Sequence, residues 1–194
     1  MGSFQGEIFA TPRMRFQAVN QLYSDTDIPA ETVLLDFAKA FDSVVWDALD
    51  IVLMHLGFGQ NFRRWIEVLF PSTLAYLMFN GRPLSPFELG AGARHGDPLS
   101  PALFVLFIEP LLNFLRVQLQ AMGLQCGSLT QSVISFADEC TGLLYDLRHT
   151  KDFLGFVEDF CSATGIRLNK AKTLVQPFFP GPRLLSLYDL NWSA

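Results

Sequence analysis

Two adjacent acids, Asp138 and Glu139, stand between the apolar runs Val133-Ile134 and Leu143-Leu144-Tyr145, where a hairpin is expected to turn. Neighbouring carboxylates repel one another and stay ionised at neutral pH only when solvent or a cation screens them, which makes a divalent metal a natural third party. Another acid, Asp36, ends the apolar run Val33-Leu34-Leu35. If the hairpin packs beside that run, Asp36, Asp138 and Glu139 converge. Three convergent carboxylates suit Mg²⁺, or Mn²⁺ in its place. Hard oxygen ligands hold such an ion while it keeps waters and substrate phosphates, and two ions about 3.5–4 Å apart clamp the attacking and leaving oxygens of a phosphoryl transfer. The plain alternative is that these acids are only solvated turn residues.

The elements that must position the acids follow from hydrophobic period and turn chemistry. Arg13 to Tyr23 reads as a helix, with Phe16, Val19 and Leu22 on one face. Thr32 to Phe37 reads as a strand. A helix from Val44 to Leu56 with the stripe Leu49, Val52, Leu53 and Leu56 is stopped by Gly57, and a second from Gln60 to Phe70 repeats the period with Phe62, Trp65, Ile66 and Leu69 before Pro71. Leu74 to Phe79, the turn pair Asn80-Gly81 and a return through Phe87-Glu88-Leu89 predict a β-hairpin. A glycine-rich loop, Gly90 to Asp97, leads into a long helix from Pro98 to Ala121, which Pro110 is placed to kink. After the acidic hairpin come a helix from Thr150 to Ala163, capped by Gly165, and a short hairpin pairing Ile166–Leu168 with Thr173–Val175. Pro177, Pro180 and Pro182 then break regularity, so 177–194 is expected to be an irregular tail. Strands carrying acids alternate with helices and hairpins. The expected class is α+β, with helices behind an antiparallel sheet.

Size and composition bound the rest. The chain has 194 residues, 50% of them hydrophobic, enough for one domain burying roughly 70% of its unfolded surface. No stretch reaches the ~20 uninterrupted apolar residues of a membrane span, and the N-terminus shows no targeting signal. Cys126, Cys140 and Cys161 are odd in number and lack paired metal-ligand spacing, which points to reduced thiols in a soluble, intracellular protein, with nucleus and cytoplasm not distinguished. The net charge of -5 and the lack of any Lys/Arg run exclude the basic stripe of a free-standing nucleic-acid binder. Nineteen Phe residues suggest apolar faces left uncovered when the chain stands alone.

Four stretches, taken in order, resemble the palm motifs of reverse transcriptases, most closely those of non-LTR (LINE-type) retrotransposons. Leu35-Asp36-Phe37-Ala38-Lys39-Ala40-Phe41-Asp42 is similar to the motif that carries the first metal ligand. Gly92-Ala93-Arg94-His95-Gly96-Asp97-Pro98-Leu99-Ser100-Pro101 resembles the template and nucleotide platform, and Phe136-Ala137-Asp138-Glu139 the aromatic-Ala-Asp-Asp box. Ser162 to Lys170, with Lys172-Thr173, looks like the last palm motif. The resemblance covers about Ser3 to Val175.

The resemblance implies a polymerase palm over residues 1–176, with incomplete fingers and no thumb in this stretch of chain. It makes Asp36, Asp138 and Glu139 metal ligands and sets Phe41 beneath the sugar, where it excludes a 2′-hydroxyl. Gly92, Arg94, His95 and Gly96 become nucleotide-binding residues. A lysine, Lys172 or else Lys170, becomes the proton donor to leaving pyrophosphate. Two positions depart from the pattern. His95 replaces a glutamine, giving one donor and one acceptor in a shorter, more rigid geometry. Glu139 replaces an aspartate, keeping the charge but adding a methylene, and a shift near 1 Å can cost about a hundredfold in rate. The implied function is RNA-directed DNA polymerisation, with an RNA or DNA template, a primer and deoxynucleotides as partners, no membrane, and fingers and thumb supplied by a longer chain. The alternative is a truncated, catalytically degenerate retrotransposon relic acting at most as a binding module; a metal-dependent nuclease using the same acids lacks a candidate base.

Overall fold

The computed structural model describes Gln21, residues 30–70, 74–93, 96–126, 129–136 and 139–177, and the pair 185–186. The helix expected from Arg13 to Tyr23 lies outside these residues except for Gln21, which is helical.

The chain divides into two compact units. The first is built on a five-stranded antiparallel sheet. Its strands are β1 (Glu31–Leu35), β8 (Val133–Phe136), β9 (Glu139–Leu144), β10 (Leu174–Pro177) and β11 (Leu185–Ser186), in the order β11-β10-β1-β9-β8. Strand β1 is flanked on both edges. Glu31 to Leu35 pair with Leu144 to Cys140 on one side, and Glu31 to Leu34 with Pro177 to Leu174 on the other. A strand bonded on both edges and covered on its faces reads as a continuous apolar run, as Val33-Leu34-Leu35 does. Strands β8 and β9 form the hairpin expected around the acids, with Phe136 paired to Glu139 and two residues between them.

A helix backs this sheet. Helix α4 (Leu147–Thr164) lays Phe153, fully buried, against β9 at Gly142, where an added Cβ would stand 2.7 Å from the Phe153 ring. Only glycine leaves that space. Phe156 of α4 meets Phe114 edge-on, with ring centroids 5.2 Å apart. Asp146 caps the helix, its Oδ1 accepting the Arg148 amide at 2.8 Å, an N-cap role that carboxylates fill well. The Arg148 bonds hold the Asp146 carboxyl down at about 2. His149 lies within the first turn, its N–H donating to Asp146 O at 2.9 Å.

The second unit contains α1 (Trp46–His55), α2 (Gln60–Leu69) and four two-residue strands, β2 (Leu74–Ala75), β3 (Met78–Phe79), β4 (Arg82–Pro83) and β5 (Phe87–Glu88). Helix α1 ends as its glycine predicts. Gly57 takes φ +85°, its N–H meets Met54 O at 3.1 Å and the Phe58 N–H meets Leu53 O at 2.9 Å, the paired bonds of a left-handed helix stop. Asn80 and Gly81 both have positive φ, as a two-residue hairpin turn requires. The return strand begins at once, with Arg82 opposite Phe79 and Glu88 opposite Leu74.

Three expectations and one omission need correction. Helix α2 keeps its period but buries only Ile66 of its stripe; Phe62, Trp65 and Leu69 are exposed. The hairpin joining Ile166–Leu168 to Thr173–Val175 does not form, because Leu168 bridges Phe37 and β10 pairs with β1. A hairpin the sequence analysis passed over, β6 (Leu124–Cys126) with β7 (Leu129–Gln131), stands before the acidic one. Strand β11 adds an edge to the sheet in a stretch that suggested no regular structure.

The long helix α3 (Ser100–Gln118) continues through Pro110. By length and composition alone it is apolar enough to cross a bilayer, though Glu109, Pro110, Asn113 and Arg116 interrupt it and 44% of its most apolar window is buried within the protein. A buried apolar row is what a core helix needs.

One buried acid gives the sheet a pH response. Glu31, 1% exposed, accepts a hydrogen bond from Thr150 Oγ1 through Oε1, while its Oε2 is buried with no partner among the described residues. Burial, reinforced by the nearby Asp146 charge, pushes its carboxyl up from 4.5 to about 7. The folded chain therefore holds this proton where the unfolded chain has released it. Stability falls as pH rises from about 4.5 through about 7, by about 3 kcal/mol for a shift of this size. Glu31→Gln cannot ionise and is expected to flatten that slope and to exceed the wild type in urea unfolding at pH 8. An unchanged slope between pH 5 and pH 7 would contradict the assignment.

Candidate active site

The acids are set by the β1–β9 register. Leu35 faces Cys140 in the last paired position, so the register continued by one places Asp36 opposite Glu139. Directly opposed residues of antiparallel strands leave the sheet on the same face. Asp36 is half-buried and Glu139 exposed. Asp138 precedes Glu139 in the chain but lies outside the described residues, as do Arg94 and His95 of the platform. Among the described residues no three His, Cys, Asp or Glu side chains are gathered tightly enough to hold a metal ion. The donor set of Asp36 and Glu139 consists of carboxylate oxygens on one sheet face, open to solvent on the Glu139 side, and this chemistry fits Mg²⁺. Cys140, beside Glu139, is a poor competitor. Burial pushes its thiol up to about 12, only partly offset by Arg116, and a metal binds the thiolate rather than the thiol.

Asp36 itself is held through its main chain. Its N–H donates to Thr173 Oγ1 at 3.2 Å, and its carbonyl accepts the Asn169 N–H at 2.7 Å. Between Asn169 and Thr173 the chain makes one tight turn, with the Lys172 and Thr173 amides both donating to Asn169 O at 3.1 and 2.8 Å. The structure separates the two candidate lysines. Lys170 Nζ is engaged by Glu158 at 2.9 Å and is half-buried, whereas Lys172 is exposed. Lys172 is the one free to present its ammonium group outward.

In the second unit the structure brings Phe41 and Gly92 together. Phe41 opens a 3₁₀ turn, Phe41–Ser43, and its ring lies 5.2 Å from that of buried Phe104. The loop carrying Gly92 is tied to this turn by Gly92 N–H to Val44 O at 2.9 Å and Ala93 N–H to Phe41 O at 2.7 Å. Trp46 Nε1 closes the arrangement on Gly92 O at 3.1 Å. Gly92 has φ +108°, and an added Cβ would meet the Asp42 carbonyl oxygen at 3.1 Å. Gly96 has φ +88° with open space around it. Asp97 starts the following helix, its Oδ1 accepting the Leu99 amide at 2.8 Å. A cleft of about 420 Å³ is lined by residues of α1 and α2, Trp46, Asp50 and Arg63 among them, with Arg63 and Asp50 paired at 2.7 and 3.0 Å. None of the expected site residues among the described ones lines it.

Sequence reasoning placed Asn169 and Thr173 in the last motif without giving either a role, and passed over Trp46. For Thr173 the available signal was a polar residue entering a buried strand; it is 0% exposed.

An antiparallel sheet backed by helices, with acids at its strand ends, is the α+β architecture of a polymerase palm. The same fold occurs in a solved structure of apo telomerase from Candida tropicalis lacking its C-terminal domain, with a TM-score of 0.59 and 14% sequence identity over 84% of this chain and 34% of that one. Residues 4–177 match the family model described as reverse transcriptase (RNA-dependent DNA polymerase). The chain belongs to the reverse transcriptase family. Its similar proteins are of the non-LTR, LINE type. A Xenopus laevis protein of transposon TX1 is 30% identical over 72% of this chain and 11% of its own length. The Pol polyprotein of element R2DM from Drosophila melanogaster is 28% identical over 71% of this chain and 13% of its own. That of element R2 from Popillia japonica is 29% identical over 80% and 23%. The chain thus spans less than a quarter of the length of these relatives.

The Gly92 geometry yields a direct test. Gly92→Ala puts a Cβ in the left-handed region and against the Asp42 carbonyl, and is expected to cost roughly 1–3 kcal/mol, read as a lower urea midpoint. A midpoint equal to that of the wild type would show that the loop does not hold this conformation in solution.

Proposed function

We propose that this chain is the palm of an RNA-directed DNA polymerase, extending over residues 1–176. It joins a deoxynucleotide to a primer 3′ end. The primer hydroxyl gives up its proton to solvent as its oxygen forms a bond to the α-phosphorus, the bond from that phosphorus to the pyrophosphate oxygen breaks, and pyrophosphate leaves. The observation that carries this reading is the register bringing Asp36 opposite Glu139 at the mouth of the acidic hairpin.

Asp36, Asp138 and Glu139 would hold Mg²⁺, or Mn²⁺ in its place, through their carboxylates. When bound, the metal supplies positive charge against the reacting phosphates and lowers the pKa of the attacking hydroxyl. The remaining work falls to the chain's own groups. Phe41, braced by Phe104, forms a wall against a 2′-hydroxyl and selects deoxynucleotides. Gly92 and Gly96 let the main chain approach a base pair closely, with Arg94 and His95 contacting the nucleotide. Lys172 Nζ donates a proton to departing pyrophosphate. The net charge of -5 leaves little to neutralise a nucleic-acid backbone, which normally supplies most of the affinity. This chain's own hold on template and primer is therefore weak and weakens further as salt rises.

A second reading, a degenerate palm serving only as a binding module, is favoured by one observation. Apolar side chains around the β3–β4 hairpin and α2 stand in solvent, including Phe79 at 73% exposure, Trp65 at 68% and Met78 at 65%. Primer extension separates the two. The polymerase reading expects Mg²⁺-dependent extension by the purified chain that Asp36→Asn or Asp138→Asn reduces by about a hundredfold or more. The binding-module reading expects no template-directed product from the wild type with either Mg²⁺ or Mn²⁺.

A further inference from the structure

We infer that Thr173 is a positioning residue for the Asp36 carboxylate, and that the turn it closes registers Lys172 to the same acid. This rests on the reading of Asp36 as a metal ligand. Asp36 stands one position beyond the last β1–β9 pair, so the ladder does not fix its peptide groups. The Asn169–Thr173 turn does. The Asp36 N–H donates to Thr173 Oγ1 at 3.2 Å across 137 residues of sequence, and the Asp36 carbonyl accepts the Asn169 N–H at 2.7 Å. Phe37 is then bridged to Leu168. Both polar groups of the Asp36 main chain are thereby engaged by one turn, which leaves only its side-chain torsions to aim the carboxylate.

The turn is itself rigid. Thr173 is 0% exposed, its amide closes on Asn169 O at 2.8 Å, and Lys170 ties the turn to Glu158 of α4 at 2.9 Å. Lys172 rides on it, adjacent to Thr173. Within this clip the Thr173 hydroxyl is the side-chain group that accepts a hydrogen bond from the Asp36 main chain, and a valine would keep the shape while removing the acceptor. Loss of a partner that orients a ligand typically lowers metal affinity by about 10–100-fold.

The test is a Mn²⁺ titration of the full chain followed by electron paramagnetic resonance, which reads binding without requiring turnover. Asp36→Asn is expected to abolish the site. Thr173→Val is expected to weaken Mn²⁺ binding by about tenfold or more, and Thr173→Ser, which keeps the hydroxyl, to restore it to near the wild-type value. Wild-type binding in a folded Thr173→Val chain would overturn the positioning role alone. A wild type whose Mn²⁺ binding is insensitive to Asp36→Asn would overturn the functional reading, and the metal-directed role of Thr173 with it. Should Thr173→Val fail to fold, amide hydrogen exchange of the wild type decides. Protection of the Asp36 amide comparable to Leu35 supports the clip, and exchange as fast as at an exposed loop amide refutes it.

Discussion

The proposed site hangs on the hydrogen bonding of one short strand. Strand β1 is bonded along one edge to β9 and along the other to β10, so its end cannot shift by a single residue without breaking two ladders. A one-residue slip would also turn its buried side chains to the opposite face, which the full burial of Val33 forbids. Asp36 takes its register from the strand before it while its own peptide groups are held by the Asn169–Thr173 turn, and the opposing hairpin is set by the pairing of β9 with β1. Asp36 and Glu139 are thus located by the β1–β9 ladder and the packing around it.

The same economy appears elsewhere. Gly142 has no side chain because Phe153 of the backing helix occupies the space, and Gly92 has none because the Asp42 carbonyl lies against it. In each case a glycine lets two main-chain or core elements approach closely. The buried Glu31 is the exception. It spends stability at neutral pH at the base of the same strand, with one carboxyl oxygen satisfied by Thr150 and the other unpartnered among the described residues.

Local signals in the sequence were read well where local chemistry decides the outcome. Asn80-Gly81 and Gly57 name their own backbone conformations, and the paired acids between apolar runs named a hairpin. What the sequence could not convey was the choice of partner. Thr173–Val175 looks like a strand and begins one, but alternation alone cannot tell that β10 pairs with β1 rather than with Ile166–Leu168. Period likewise set the stripe of α2 correctly without revealing that Trp65 and Leu69 face solvent. The hold of Thr173 on Asp36 joins residues far apart in sequence through a single hydroxyl, and no pattern announces it.

The exposed apolar side chains around β3–β4 and the net charge of -5 belong to a chain that spans less than a quarter of its relatives' length. The claim at the centre is narrower: Asp36, Asp138 and Glu139 share one cation. An anomalous difference map from Mn²⁺-soaked crystals tests it most directly. The account expects a peak within coordination distance, about 2.0–2.4 Å, of carboxylate oxygens from Asp36 and the 138–139 turn together. A map with Mn²⁺ bound elsewhere, or with Asp36 and Asp138 more than about 10 Å apart and no ion between them, would contradict it.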